Sequence, residues 1–389
     1  PQPPLCSRPS TFPSSSTPAK NNVLDITVGG SHPYNNINTP FVSVTICGAS
    51  KCETIDNIIL DTGSDGLRIL SSALKGLQLK QETIQGDQLL GECSFFGSGY
   101  TWGGIYSAEV KLTPDKYPKS GHTLGSLPIQ IIDQTFPDDI SSYCGNRAIK
   151  DNKLNTASTL YGNGILGVGN RVADGGTYFA CSNNGCSEKT TSVPLEKQVK
   201  NPVAMLKSDN NGVIVSLPAN SNGNAKKTGK LTLGIGTQSN NKLEGEVFLP
   251  FLDQSSREFQ IKIPGLPSIT RGFLDSGTNF FGFNGGDMTK PSGSDFYCPA
   301  GTKNFLPTTW GGKDIDPPNV GQFSVACKNE GENNLIFDKL GGPSSRNNLI
   351  TFGLPFFFGR DVFTAIGEKT PSCSVGYVAF REPVKLLTN

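Results

Sequence analysis

Charge of one sign is what this chain most lacks. Its 34 Lys and Arg against 33 Asp and Glu leave +1, so neither nucleic acid nor an acidic membrane surface has an electrostatic reason to be its partner. No apolar run approaches the ~18 residues needed to span a bilayer. The first residues also lack the charged-then-apolar order of a signal peptide, so the chain is expected to be a mature product without a membrane span. Histidine is nearly absent: His32 and His122 both sit in Pro/Gly-rich stretches. With no Gly-x-Ser-x-Gly elbow either, a serine-hydrolase site has little support. The chain is rich in Asn yet has no Asn-x-Ser/Thr acceptor, which favours a bacterial envelope or secreted protein over a eukaryotic one.

Glycine and proline are plentiful, 46 and 27 in a chain of 389 residues. That mixture favours many short strands and turns over long helices, and the length suffices for two cores, so an all-β, bilobal body with a few short helices is expected. Ten cysteines, an even number, suit disulfides in an oxidising compartment and hence a secreted or periplasmic protein. Cys47 and Cys52 flank the turn-like Gly48-Ala49-Ser50-Lys51, and Cys181 and Cys186 flank Ser182-Asn183-Asn184-Gly185, so each pair can close a small loop. A zinc site made from these two pairs is the alternative, disfavoured by a spacing that is not Cys-x2-Cys and by the shortage of His. Neither a metal nor a cofactor is expected. The pairing of Cys6, Cys93, Cys144 and Cys373 stays open.

Two stretches organise the chain. Ile59-Leu60-Asp61-Thr62-Gly63-Ser64 and Phe273-Leu274-Asp275-Ser276-Gly277-Thr278 repeat one apolar-Asp-hydroxyl-Gly-hydroxyl phrase. In each, the apolar run reads as a buried strand that delivers the carboxylate to a turn. Glycine two positions on lets backbone approach the carboxylate closely, and the hydroxyls at the second and fourth positions can donate to it and to the facing loop. Should the turns face each other, two carboxylates about 3 Å apart cannot both ionise, and they share a proton, as the pair in aspartic proteases does. One member could then deprotonate a water while the other hydrogen-bonds a carbonyl oxygen. An ordinary turn or helix-capping role for each Asp is the alternative.

These motifs resemble those of the pepsin-like aspartic peptidases along most of the chain. In that family an apolar-apolar-Gly segment follows each Asp loop, and Asn163-Gly164-Ile165-Leu166-Gly167 and Pro355-Phe356-Phe357-Phe358-Gly359 fall in those places. Gly359-Arg360-Asp361-Val362-Phe363 and Gly376-Tyr377-Val378-Ala379-Phe380 resemble its closing strands. More narrowly, Gly99-Tyr100-Thr101-Trp102-Gly103 and Gly234-Ile235-Gly236-Thr237-Gln238 resemble a bacterial family of pepsin-like proteins of unknown function. The resemblance implies an endopeptidase with Asp61 and Asp275 as its dyad in a cleft between lobes. It further implies that Thr62 and Ser276 tie the loops together, that Ser64 and Thr278 bond the carboxylates from outside, and that Cys298 and Cys327 form the second lobe's bridge. By position, 95–105 resembles the flap, with Phe96, Tyr100 and Trp102 as substrate-facing candidates and an ordinary surface hairpin as the alternative. Two departures stand out: Phe96 occupies the place of the family's flap Tyr, and Arg68 that of its Trp, from which it is expected to face the cleft and attract an acidic substrate side chain, the alternative being that it turns to solvent or pairs with Asp65. The alternative reading is therefore a pepsin-fold binding or inhibitor protein that does not cut. The expected partner is a peptide or protein substrate, and the expected state a monomer.

Along the chain, residues 1–21 read as a flexible Pro/Ser-rich tail. Residues 22–240 are expected to form the N-terminal lobe and 241–389 the C-terminal one, parting near 238–242. A helix is expected over 194–206, broken by Pro202. Gly162-Asn163-Gly164-Ile165-Leu166-Gly167 spells a dinucleotide fingerprint, but no helical pattern follows it, so it is read as a decoy.

Overall fold

The computed structural model describes residues 6–9, 21–29, 34, 36–112, 123–133, 135–137, 141–187, 189–220, 226–253, 255–314, 320–328 and 335–382. The chain is mostly β. Runs of Val, Ile, Thr and Phe are interrupted every few residues by Gly, Pro and Asn, which keeps strands short. Among the described residues the α-helices are Ser141–Arg147, Ala157–Leu160 and Leu354–Phe357, the longest of 7 residues.

The chain folds as two compact units. One gathers Pro1–Pro40, Asp61–Gly63 and Asp209–Asn389; the other holds Phe41–Leu60 and Ser64–Ser208. The chain therefore does not part at 240/241. Gly212–Leu217 pairs antiparallel with both Lys227–Leu233 and Arg360–Ala365, and this ladder commits residues 209–240 to the unit that carries the C-terminus. Val23–Val28 joins the free side of Lys227–Leu233, and Tyr377–Arg381 pairs with Arg360–Ala365 and with Val247–Pro250.

A second sheet in the same unit runs through Phe259–Lys262, Arg271–Leu274 and Leu349–Phe352, the last two parallel. Its core is aromatic. Trp310 lies edge-on to Phe380 at 4.9 Å and tilted to Phe352 at 5.3 Å, and Phe352 meets Phe356 at 5.0 Å. Such offset and edge contacts add to the burial of large rings.

In the other unit, Asp65–Leu70 lies between Gly164–Val168, antiparallel, and Thr123–Ile132, parallel. Gln88–Phe96 and Gly99–Lys111 form a hairpin whose first strand also pairs with Thr177–Ser182. Gly103 must be Gly, because a Cβ there would stand 1.9 Å from the carbonyl oxygen of Ile131.

Two further expectations need correction. Residues 194–206 form no α-helix, only the short 3-10 turns Leu195–Lys197 and Val203–Met205; Gln198 between them is extended. Pro202 gives up a backbone donor, and a second proline at 194 fixes the entry. The tail is pinned where it is described: Cys6 is bonded to Cys373, the Ser7 N–H donates to Ser372 O at 2.9 Å, and Arg8 pairs with Glu246 at 2.5 Å. Apart from Pro9 and Asn21, the rest of that tail, like His32 and His122, lies outside the described residues. All ten cysteines are paired: Cys47–Cys52, Cys181–Cys186 and Cys298–Cys327 as expected, together with Cys6–Cys373 and Cys93–Cys144.

Candidate active site

Each Asp phrase begins where a buried strand ends. Ile58 and Leu60 are fully buried in the strand Cys52–Asp61, and Leu274 is buried at the end of Arg271–Leu274. The Asp275 N–H donates to Phe352 O at 3.0 Å, which roots the second turn in the aromatic core.

Within their unit the two turns face each other. The Thr62 N–H donates to Ser276 Oγ at 3.0 Å, and the Ser276 N–H donates to Thr62 Oγ1 at 3.0 Å. Both hydroxyl residues are buried, so each bond is shielded from competing water. Each Gly N–H then donates to the carboxylate two positions before it, Gly63 to Asp61 Oδ1 and Gly277 to Asp275 Oδ1, both at 2.8 Å. The glycines also face across. A Cβ on Gly63 would stand 2.6 Å from Asp275 Oδ1, and one on Gly277 would stand 2.6 Å from Asp61 Oδ1 and 3.2 Å from Asp275 Oδ1. The two Oδ1 atoms are thus no farther apart than the sum of those last two distances. Asp61 is buried and Asp275 half-buried.

Of the outer residues, Thr278 donates its hydroxyl to Asp275 Oδ2 at 2.7 Å, and the Ser64 carbonyl accepts from the Gly169 N–H at 2.8 Å. Of the two apolar-apolar-Gly segments, the first runs as the strand Gly164–Val168 beside Asp65–Leu70. The second is the single-turn helix Leu354–Phe357, whose Leu354 N–H donates to Thr278 O at 2.7 Å.

The candidates drawn from the flap resemblance are enclosed within their own unit. Trp102 is 1 % exposed and Tyr100 3 %, both inside an apolar cluster with Cys93, Phe136, Cys144, Phe179 and Cys181. The Trp102 indole N–H donates to Pro137 O at 3.1 Å. Neither ring is free to meet a substrate. Phe96 is partly buried against Leu70, Ile132, Leu154, Leu160 and Ile165.

Arg68 is 1 % exposed and paired with two carboxylates, Asp174 at 2.5 Å and Glu92 at 3.2 Å, while its Nη1 donates to Asp65 O at 2.9 Å. Its charge is spent inside its own unit, so the expected pull on an acidic substrate side chain has no basis here. Burial pushes the Glu92 carboxyl well above the usual range, the charge of Asp174 adds to that, and Arg68 opposes it. Burial likewise raises Tyr178, whose hydroxyl donates to Asp174 at 2.8 Å.

Two residues at the turns carry no motif. The Asn38 side chain donates to Asn279 O at 2.9 Å and to Phe337 O at 2.8 Å, and accepts from the Phe337 N–H. Arg257, buried, donates from Nη1 to the carbonyl of Gly63. Only the Asp253-x-Ser-Ser turn signal just before Arg257 is visible in the sequence.

The architecture is a pepsin-like fold. The crystal structure of the aspartic proteinase from Irpex lacteus aligns over 92 % of this chain and 96 % of that one, with a TM-score of 0.53 and 14 % identity. The chain itself belongs to the family described as "Protein of unknown function (DUF3443)", whose model matches residues 18–380. No curated protein matches it.

Proposed function

We propose that the protein is an aspartic-type endopeptidase in which Asp61 and Asp275 activate water for peptide-bond hydrolysis. The observation that carries this reading is the reciprocal pair of Thr62 and Ser276 hydrogen bonds, with each glycine turned toward the opposite carboxylate. Two carboxylates held so close favour one shared proton. The ionised member takes a proton from the water as the water oxygen adds to the scissile carbonyl carbon, and the protonated member gives its proton to the carbonyl oxygen, which leaves a tetrahedral diol and one proton on the pair. Collapse of the tetrahedral diol breaks the C–N bond and passes a proton to the leaving amine, which returns the pair to its starting charge. No metal or cofactor takes part in this scheme. An acid optimum follows from the need to keep one proton on the pair.

The substrate is a peptide or an unfolded protein, and the enzyme works as a monomer. Five disulfides fit an oxidising compartment, and among the described residues no helix is long and apolar enough to cross a membrane; a secreted or periplasmic setting suits both.

The test is incubation with a denatured protein mixture from about pH 3 to about pH 7, with the cut sites mapped. Asp61→Asn and Asp275→Asn should each abolish cutting and leave the fold intact. Cutting that survives either change removes the dyad. A folded wild type that cuts nothing but retains peptides would favour a silent binding protein, the reading toward which Arg68 and Phe96 lean in departing from the family pattern.

A further inference from the structure

Two carboxylates share one buried guanidinium, and the proposed chemistry uses neither. Arg68 Nη2 reaches Asp174 Oδ2 at 2.5 Å and Glu92 Oε1 at 3.2 Å. A Cβ on Gly176 would stand 2.1 Å from Glu92 Oε1 and 2.9 Å from Asp174 Oδ2, so the two oxygens are no farther apart than those distances together. All three side chains are buried, Asp174 the least at 5 % exposed. We infer that one proton shared by Glu92 and Asp174 latches the loop 171–176: while it is held the loop is closed on Arg68, and its loss releases Asp174 together with residues 195–200.

The three are not equally free to move. Arg68 sits in mid-strand, opposite Ile165 on one side and Gln130 on the other. Glu92 is also in mid-strand, opposite Gly103 and Tyr178. Asp174 lies on the loop before Thr177–Ser182, and two glycines, the first with φ +61°, separate it from that strand. What fastens it is polar. Asp174 Oδ1 accepts the Tyr178 hydroxyl at 2.8 Å and the Gly176 N–H at 3.0 Å, and its own N–H donates to Val199 O at 3.0 Å. The Tyr178 hydroxyl in turn accepts the Val199 N–H at 2.8 Å, and the Asn201 N–H donates to Val172 O at 2.9 Å. When Asp174 leaves, the docking of 195–200 loses its centre.

The donors say where the proton rests. Asp174 accepts from Arg68, Tyr178 and Gly176, whereas among the described residues the Glu92 carboxyl accepts from Arg68 alone. Asp174 is thus the anion, and Glu92 keeps the proton and turns it toward Asp174. Burial and then the Asp174 charge push the Glu92 carboxyl well above its usual range against the pull of Arg68, which agrees with that assignment. With both ionised, two negative charges would face one guanidinium out of water. Of the neighbouring charges, Asp65 is met by Arg171 at 3.5 Å and Glu82 by Lys197 at 3.9 Å. Lys200 attracts Asp174 only from a distance, because its ammonium donates to the carbonyls of Leu195 and Gln198. Opening lets Asp174 reach water and leaves Glu92 and Arg68 a matched pair, so loss of the proton favours it.

Since closing takes up one proton, the ratio of open to closed loop rises about tenfold per pH unit until the closed form itself ionises. The test is amide hydrogen exchange on the intact protein from about pH 4 to about pH 8, each rate divided by the intrinsic rate at that pH. Protection of the Asp174, Val199 and Asn201 N–H groups should fall about tenfold or more across that range, and should stay below that of the Leu70 N–H, which is bonded to Asn163 O at 2.9 Å in the same unit. Glu92→Gln keeps a donor toward Asp174 and cannot ionise, so its loop should remain closed at every pH. Asp174→Asn should also abolish the slope, because Arg68 then matches Glu92 alone. Wild-type protection of the three amides that does not change with pH overturns the inference, as does a slope that persists in Glu92→Gln. Three amides as protected as Leu70 at every pH would make the opening global and overturn it too. If Glu92→Gln does not fold, the wild-type profile and Asp174→Asn still decide. Exchange is read without substrate, so the result stands apart from the peptidase reading.

Discussion

Adding one methyl group at Gly63 tests the site more sharply than removing a carboxylate. Gly63 does not have a positive φ, so Gly63→Ala strains no backbone and its whole effect is steric. The new Cβ would lie 2.6 Å from Asp275 Cγ, 2.6 Å from Oδ1 and 2.8 Å from Oδ2. Asp275 cannot swing aside freely, because the Gly277 N–H holds it at 2.8 Å and the Thr278 hydroxyl at 2.7 Å. Relief to ordinary contact at 3.4 Å requires the turns to part by roughly 0.8 Å. That opening stretches both Thr62 and Ser276 hydrogen bonds, now 3.0 Å, each of which is worth about 1 kcal/mol net and more if a buried group is left unpaired. Overpacking adds about 1–3 kcal/mol, so Gly63→Ala should cost about 3–5 kcal/mol in urea unfolding. Cutting should fall about a hundredfold even at temperatures where the variant stays folded, as expected when reacting groups move by ~1 Å. Gly301→Ala is the control: it has no neighbour within 4 Å and no positive φ, and should stay within about 0.5 kcal/mol of wild type. A Gly63→Ala protein as stable and as active as wild type would show that the turns do not pack as described.

Two further outcomes follow from burial and connectivity. Because burial, and then Asp174, raise the Glu92 proton affinity in the fold, the folded protein keeps a proton that the unfolded chain has released. Stability is then full below the ordinary carboxylate range and declines as pH rises through the raised value; Glu92→Gln should flatten that decline in urea melts taken across acid to neutral pH, and an unchanged slope would remove Glu92 as its source. Replacing Cys6 and Cys373 with Ser opens a loop of sequence separation 367 and should cost about 2–5 kcal/mol, while non-reducing peptide mapping of the wild type should recover all five pairs; free thiols at Cys6 and Cys373 would count against the pinned N-terminal segment.

The facing of the two turns was legible because the sequence writes it locally: strand, Asp, hydroxyl, Gly and hydroxyl lie within six residues, and the second copy supplies the partner. Cys47–Cys52 and Cys181–Cys186 were legible for the same reason. Trp102 and Tyr100 misled because a Gly and aromatic mixture looks the same in an exposed hairpin as in a strand covered on both faces, and only Phe136, Phe179 and the Cys93–Cys144 bridge decide between them. Arg68 had two open fates until Glu92 and Asp174, both distant in sequence, were placed beside it. Arg257 could not be read at all, since its role depends on a left-handed φ and on a carbonyl 194 positions away. Contacts of that separation leave no periodicity behind.

The grouping of Asp61–Gly63 with residues from Asp209 onward also has a bearing on synthesis. The bonds that hold the first aspartate turn reach 214 positions along the chain to Ser276, and contacts so distant must wait for their partner to be made. A nascent chain that has completed its first two hundred residues can fold strands and close local disulfides, yet its Asp61 has nothing to face. The pair comes into being only with the last third of the chain, so a product that stops short of Ser276 leaves the Thr62 turn without the partner that its hydrogen bonds require.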